Sequence, residues 1–154
     1  MQIKSVFESG EKIPKKYTCD GDDFSPEIHI LDVPKEAKSL TLIVDDPDCP
    51  IGTFTHWVLY NLPADTVKIE EKIPAVEILQ NGTMLGAMHG VTDFKSVGYG
   101  GPCPPSGMHR YFFKLYALDK VLDLPVRATK KQVEHAIHGH IVEEAELIGL
   151  YSRK

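Results

Sequence analysis

The segment Asp45-Asp46-Pro47-Asp48-Cys49-Pro50 constrains the fold of this chain more than any other stretch. It follows the apolar run 40–44 and precedes a second strand-like run that begins at His56. The carboxylates of the segment repel one another, and its prolines fix φ and remove backbone donors. We therefore interpret it as a rigid acidic turn between two strands, with a histidine at the start of the second strand.

A similar arrangement occurs further along the chain. The turn Gly100-Gly101-Pro102-Cys103-Pro104-Pro105 is followed by Gly107-Met108-His109-Arg110-Tyr111, where a histidine again opens a strand-like run. Glycine lets a backbone approach a ligand closely, so the amides of Gly100 and Gly101 are candidate donors. The two Pro-rich turns and the two histidines together predict one pocket.

Strand signals dominate the sequence. Residues 39–44 alternate as a strand requires, residues 56–62 are apolar on both faces, and residues 110–119 give the strongest strand signal. Trp57 and Tyr60 are expected to pack in the core. Further strand candidates lie at 3–9, 25–30 and 145–151. We predict a mainly β fold, an antiparallel sandwich with one or two peripheral helices, formed by residues 1–154 as a single domain.

The clearest helix signal comes near the C-terminus. Thr129 can cap a helix with Gln132 as its capping-box partner, and Gly139 is a candidate stop. An apolar stripe follows the cap at Val133, Ala136 and Ile137. By contrast, the Pro- and Gly-rich region 63–106 predicts only a short helix or turn, and long irregular regions of this kind are often functional.

Charge and composition exclude several classes of protein. The net charge is −5 and the longest Lys/Arg cluster is a pair, which argues against a nucleic-acid partner. No apolar run reaches membrane-spanning length, and the N-terminus lacks the apolar region of a signal peptide, so a cytoplasmic location is expected. Three cysteines, Cys19, Cys49 and Cys103, favour reduced thiols, with one disulfide between two of them left open.

Other kinds of site were weighed against the pocket. A metal site from His56, His109, Asp46 and Cys103 lacks the short paired spacings of zinc ligands, so no metal and no cofactor are expected. Nucleophilic catalysis by Cys49 or Cys103 lacks a recognisable oxyanion-forming turn. The histidines near the C-terminus are interpreted as part of a solvated helix face, and they are His135, His138 and His140.

Two motifs resemble the signatures of one protein family. Asp46-Pro47-Asp48-Cys49-Pro50 resembles the D-P-D-x-P motif of the phosphatidylethanolamine-binding protein family, and Gly107-Met108-His109-Arg110 resembles its G-x-H-R motif. The linking segments are similar to the bacterial and archaeal Raf-kinase-inhibitor-like branch. They include the stretches 13–21, 55–63 and 99–105. The resemblance runs in the family's order from about residue 5 to the C-terminus.

The resemblance implies a Greek-key β-sandwich with an anion-binding pocket at one end of the sheets. Carried over by motif, the ligand-binding positions are Asp46, His56, Gly101, Pro102, His109 and Tyr111. Supporting positions are Asp48, Pro50 and Arg110. The resemblance also makes Cys49–Pro50 a candidate for a cis peptide bond.

These residue types suit an anion. Imidazoles donate hydrogen bonds and carry charge when protonated, and Asp46 can orient His56 or His109. A bidentate ion pair from Arg110 to Asp46 or Asp48 would hold the two motifs together. The predicted function is non-enzymatic binding of phosphate or a phosphorylated head group, with regulation of a partner such as a kinase implied by the resemblance alone. The alternative is a small hydrolase or transferase that uses Asp46 and His109 as acid and base.

A homodimer is also expected from the family resemblance. Apolar residues of the irregular region are the candidate interface, namely Ile78, Leu79, Met84, Leu85 and Met88.

Overall fold

The computed structural model of the protein describes residues 1–153. The strands are β1 (Gln2–Lys4), β2 (Ile28–Leu31), β3 (Ser39–Asp46), β4 (Phe54–Pro63), β5 (Lys68–Ile69), β6 (Met88–His89), β7 (His109–Leu118) and β8 (Ile141–Tyr151). The helix α1 spans Lys130–Ile137, and short 3₁₀ turns occupy Lys15–Tyr17 and Gly82–Met84. All pairings between named strands are antiparallel. They form a small sheet in the order β1-β2-β5 and a large sheet in the order β6-β4-β3-β7-β8.

The main core lies between the two sheets. Ile28 and Ile30 of the small sheet belong to the same buried cluster as Leu42, Trp57 and Phe113 of the large sheet. The alternation read from the sequence produces this packing, because successive strand residues point to opposite faces. The mainly β Greek-key sandwich with a helix near the C-terminus is therefore confirmed.

Strand β3 is the centre of the large sheet and is buried along its whole length. Its last residues pair with the first residues of both neighbours: Asp46 lies opposite Phe54 of β4, and Asp45 lies opposite Phe112 of β7. The two Pro-rich turns therefore meet at one end of these strands. This register, rather than proximity in sequence, is what brings the two motifs together.

Helix α1 covers the outer face of the large sheet. Its capping box is confirmed, since the amide of Gln132 donates to Thr129 Oγ1 (3.1 Å) and the amide of Thr129 donates to Gln132 Oε1 (2.9 Å). Val133 and Ile137 are buried in a second cluster with Tyr60. Gly139 follows the helix with φ +82°, a conformation that glycine adopts at little cost.

The irregular region corrects two expectations. It contains β5, the turn Gly82–Met84 and β6, which is more regular structure than its Pro and Gly content predicted. Two of the five candidate dimer residues, Leu79 and Met84, are core residues with 5% and 7% exposure, whereas Leu85 is 60% exposed. Leu79 and Met84 are therefore wrong as dimer contacts, because they pack in the core. Ile78, Leu85 and Met88 stay a prediction.

The cysteines correct another expectation. Cys19 and Cys103 form a disulfide with a Cα–Cα distance of 5.4 Å, while among the described residues Cys49 is the free cysteine. Reduced thiols are thus the wrong prediction for two of the three. The reason is tertiary, since the amide of Cys19 donates to the carbonyl of Pro102 (3.1 Å) and aligns the two turns. The Cys49–Pro50 bond is trans, so the cis expectation is also wrong.

Candidate functional site

A cavity of about 100 Å³ lies where the two Pro-rich turns meet. Its lining combines polar, aromatic and sulfur-containing side chains: Asp46, Cys49, Phe54, His56, Phe94, Cys103, Pro104, Pro105, His109 and Tyr111. A cavity of this volume has room for a small polyatomic group.

Asp46 and His109 form a buried pair at the base of this cavity. Nδ1 of His109 lies 2.7 Å from Oδ2 of Asp46, and the two side chains are 7% and 4% exposed. A carboxylate only accepts hydrogen bonds, so the proton is assigned to Nδ1. Oδ1 of Asp46 accepts the amide of Asp48 (2.7 Å), so both carboxylate oxygens are engaged by the protein. Because Nδ1 of His109 donates to Asp46, Nε2 is the ring nitrogen left to meet a ligand.

His56 is oriented in the same manner by the backbone. Its Nδ1 lies 2.7 Å from the carbonyl oxygen of Gly100, which makes Nδ1 the protonated nitrogen. Burial lowers the pKa of His56 below 6.5, although the hydrogen bond to Gly100 and the charge of Asp46 oppose this shift. His56 is therefore neutral at pH 7, with the lone pair on Nε2.

Tyr111 carries an unpaired hydroxyl at this site. The side chain is 1% exposed, and Oη has no hydrogen-bond partner among residues 1–153. Burial raises the pKa of Tyr111, and the nearby Asp46 carboxylate raises it further. A buried polar group without a partner costs roughly 1–3 kcal/mol. The hydroxyl is thus a buried donor without a protein acceptor in the described part of the chain, on a residue that lines the cavity.

The predicted ion pair of Arg110 is confirmed, with Asp48 as its partner. Nε and Nη2 of Arg110 donate to the two carboxylate oxygens of Asp48 at 2.9 and 2.8 Å. The amide of Arg110 donates to the same carboxylate at 2.9 Å. These hydrogen bonds lower the pKa of Asp48 to about 2. The pair joins the acidic turn to β7 but does not line the cavity.

The Gly100–Gly101 turn does not present donors to the cavity. The amide of Gly100 donates to the carbonyl of His56 (2.9 Å), and the amide of Gly101 donates to Oδ1 of Asp23 (2.8 Å). The carbonyl of Pro102 accepts from Cys19 (3.1 Å). The expectation that the Gly100–Gly101 turn offers ligand-binding amides is therefore wrong. The cavity lining does not include Gly101 or Pro102, nor Pro50 of the acidic turn.

Two aromatic side chains of the cavity were missed from the sequence. Phe54 lies two residues before His56 and therefore on the same face of β4, a signal that was available. Phe94 carries no such signal. Its ring centroid lies 4.9 Å from that of Phe54 and 5.3 Å from that of His56. A Cβ on Gly100 would come within 2.4 Å of the Phe94 ring, so glycine there makes room for Phe94.

The remaining sequence candidates lie apart from the cavity. His140 pairs with Asp119 through Nδ1 at 2.8 Å, and His135 and His138 are exposed.

The helices between residues 1 and 153 do not have the length and apolar character that a membrane span requires.

Comparison with known proteins gives concordant results. A family model described as "Phosphatidylethanolamine-binding protein" matches residues 3–152. A UPF0098 protein of Methanothermobacter thermautotrophicus is 50% identical over an alignment of 154 residues that covers 99% of each chain. Another, from Aquifex aeolicus, is 52% identical over 96% of this chain and 85% of its own.

Solved structures share the architecture. A crystal structure of a phosphatidylethanolamine-binding protein homologue from Chlamydia trachomatis superposes with a TM-score of 0.89, at 41% identity over 99% of this chain and 97% of that one. YbcL of E. coli, described as a member of the mammalian family, gives a TM-score of 0.86 at 29% identity, covering 99% and 98%.

Proposed function

Because the chain belongs to the phosphatidylethanolamine-binding protein family, we propose that its cavity binds the phosphate group of a small anion or of a phosphorylated head group without transforming it. The buried hydroxyl of Tyr111, which lacks a partner among the described residues, carries this proposal. A ligand oxygen at that position supplies the acceptor that the protein does not.

The hydrogen-bonding pattern selects the protonation state of the ligand. Nδ1 of both His56 and His109 is engaged by the protein, so Nε2 is the nitrogen that each ring presents to a ligand. On the neutral ring of His56 this nitrogen is an acceptor. Tyr111 presents a donor. A phosphate that keeps one proton can donate to an imidazole and accept from Tyr111. An anion with no proton requires the protein to take up a proton on a histidine first.

Proton uptake sets the pH dependence of binding. In the free protein, burial lowers the pKa of His56, and a bound negative charge raises it again. Binding of a fully ionised anion therefore takes up a proton, and affinity falls as pH rises.

The lining also limits what the phosphate is attached to. Phe54, Phe94, Pro104 and Pro105 give the cavity an apolar wall, and Phe94 is 42% exposed. A phosphate ester whose first carbon atoms rest against this wall suits the site better than a polyphosphate. Comparing phosphoethanolamine with inorganic phosphate separates the contribution of the ester carbon atoms from that of the phosphate group.

Titration calorimetry of phosphate and sulfate at pH 6 and pH 8 tests the proposal. Sulfate has no proton to donate at either pH, so we expect phosphate to bind more tightly at pH 8 and the difference to shrink at pH 6. Tyr111→Phe should weaken phosphate binding by about tenfold, the effect of one lost hydrogen bond of roughly 1.4 kcal/mol. Tyr116→Phe is the matched control, since Tyr116 lies on β7 outside the cavity. Equal affinity of wild type and Tyr111→Phe contradicts the proposal.

A catalytic alternative is favoured by one observation. Asp46 orients His109 at 2.7 Å, which is the arrangement that prepares an imidazole as a general base. Turnover of phosphoesters or carboxylic esters that disappears in His109→Ala would support a hydrolase or transferase that uses these two residues. The same variant without detectable loss of turnover removes that alternative.

Three further expectations stay predictions. A homodimer is tested by sedimentation across a concentration series, and a kinase-like partner by binding assays with purified kinases. A cytoplasmic location is tested by fractionation. The Cys19–Cys103 disulfide counts against that location, because cytosolic thiols are generally kept reduced.

A further inference from the structure

The cavity wall contains a free thiol and a disulfide. Cys49 is free among the described cysteines, and Cys103 is bonded to Cys19, yet Cys49 and Cys103 line the same cavity. Cys49 belongs to the acidic turn after β3, and Cys103 belongs to the Pro-rich turn before β7. The two cysteines therefore lie on the two turns that form the wall of one cavity of about 100 Å³.

The accessibility of the sulfurs decides which one is open to attack. Cys103 is exposed and Cys49 is half-buried, whereas Cys19 is half-buried and lies outside the cavity lining. Thiol–disulfide exchange requires a thiolate to reach one sulfur of the disulfide, and access determines which sulfur is attacked. Cys103 is therefore the target and Cys19 the leaving group.

We infer that Cys49 and the Cys19–Cys103 disulfide form a thiol–disulfide exchange centre in the wall of the cavity. The Cys49 thiolate attacks Sγ of Cys103, the Cys49–Cys103 bond forms, and the Cys19–Cys103 bond breaks. Cys19 leaves as a thiolate and takes up the proton that Cys49 released. One disulfide and one thiol are present before and after, so no oxidant or reductant is consumed.

The exchange changes the cavity more than the fold. A Cys49–Cys103 bond connects the acidic turn directly to the Pro-rich turn and narrows the space between them. The turn that carries Cys19 keeps other attachments. Tyr99 donates to the carbonyl of Tyr17 at 2.6 Å, and the amide of Gly101 donates to Asp23 at 2.8 Å. The effect of this narrowing on ligand binding rests on the proposed function, whereas the exchange itself needs no ligand.

Disulfide mapping of the full chain tests the inference. In Cys19→Ser, oxidised glutathione should produce an internal Cys49–Cys103 bridge, detected by mass spectrometry of unreduced, acid-quenched peptides. Cys103→Ser is the matched control, with the same number of thiols and the same oxidant but no second thiol in the cavity. We expect bridging at least about tenfold faster in Cys19→Ser than in the control, because the paired thiols have a high effective concentration.

The outcomes separate the inference from the proposed function. Glutathione adducts without an internal bridge in folded Cys19→Ser, or equal bridging in the control, overturn the exchange centre. If Cys19→Ser does not fold by circular dichroism, wild type decides: a Cys49–Cys103 peptide after incubation at pH 8 supports the exchange, and Cys19–Cys103 alone overturns it. Inorganic phosphate should slow the bridging. An unchanged rate with phosphate contradicts phosphate binding in the cavity and leaves the exchange standing.

Discussion

Two side-chain pairs join the acidic turn to the start of β7, and they differ in their surroundings. Asp46 and His109 are 2.7 Å apart, with side-chain exposures of 4% and 7%. Asp48 and Arg110 are 2.8 Å apart, with exposures of 28% and 52%. We call Asp46–His109 the inner pair and Asp48–Arg110 the outer pair. Asp48 follows Asp46 by two residues, and Arg110 follows His109 directly.

Strand geometry explains why the pairs differ. Consecutive residues of β7 point to opposite faces, so His109 points into the cavity and Arg110 points away from it. Exposed ion pairs contribute little to stability, so the outer pair acts mainly by holding the two turns in register. The inner pair instead sets which nitrogen of His109 carries the proton. The two motifs together thus supply one pair that positions the acidic turn and one pair that belongs to the candidate binding site.

Removing the inner carboxylate is expected to have the largest effect. Asp46→Ala leaves Nδ1 of His109 and the amide of Asp48 without their acceptor, so we expect a loss of about 3 kcal/mol in the free energy of unfolding. Urea denaturation measures this loss. Asp46→Asn, which keeps an acceptor oxygen, should lose less. Equal stability of Asp46→Ala and wild type contradicts the role given to the inner pair.

Tyr111→Phe should separate binding from stability. Removing a buried hydroxyl that has no partner among residues 1–153 should leave the free energy of unfolding unchanged or raise it by about 1 kcal/mol. Phosphate affinity should fall about tenfold in the same variant. Urea denaturation and calorimetry measure the two quantities. A variant that loses stability and affinity together shows that the hydroxyl has a structural partner.

His56 and the outer pair should lower the free energy of unfolding in different pH ranges. Burial lowers the pKa of His56, beside the inner pair, so the unfolded chain takes up a proton near pH 6.5 that the folded chain resists. Stability is then full above pH 6.5 and falls as pH decreases below it. The Asp48 pKa of about 2 gives stability that is present above 3.8 and lost as pH falls towards 2.

Denaturation at stepped pH values measures both ranges. His56→Gln should reduce the slope below pH 6.5 without removing it. Buried His89, whose pKa is also lowered by burial, contributes in the same direction. An unchanged slope in His56→Gln shows that His56 does not titrate as described.

Breaking the outer pair is expected to have the smallest effect. Arg110→Ala removes two side-chain hydrogen bonds to Asp48 but keeps the backbone hydrogen bond, so the turn stays attached. Phosphate affinity should fall by less than about threefold, and the melting temperature should shift only slightly. Arg110→Lys keeps the charge without the bidentate geometry. A tenfold loss of affinity in Arg110→Ala would give the outer pair a direct role in binding.

Periodicity and capping chemistry predicted the fold elements well because they are local. Alternation in residues 39–44 and 110–119 corresponds to β3 and β7, and the Thr129–Gln132 capping box is present where it was expected. Local patterns served less well in the irregular region. Leu79 and Met84 are buried, although nothing in their own sequence neighbourhood distinguishes them from the exposed Leu85.

The cavity was predictable only in part. Asp46 and His109 belong to the two motifs, His56 and Tyr111 were placed from the segments that follow them, and all four line one cavity. Phe94 comes from a segment without a strand or helix signal, and it reaches the cavity because Gly100 leaves space for its ring. The amides of Gly100 and Gly101 were expected to face a ligand, but they donate to His56 and Asp23 instead.

The sequence by itself determined that two rigid turns precede histidines at the starts of strands, because proline, glycine and alternation act through neighbouring residues. Only the tertiary structure decided how those turns are arranged. The register of β3 with β4 and β7 placed them side by side, paired Asp46 with His109 rather than His56, and joined Cys19 to Cys103. Contacts between residues far apart in the chain depend on the packing of the whole sandwich, and no local pattern encodes them.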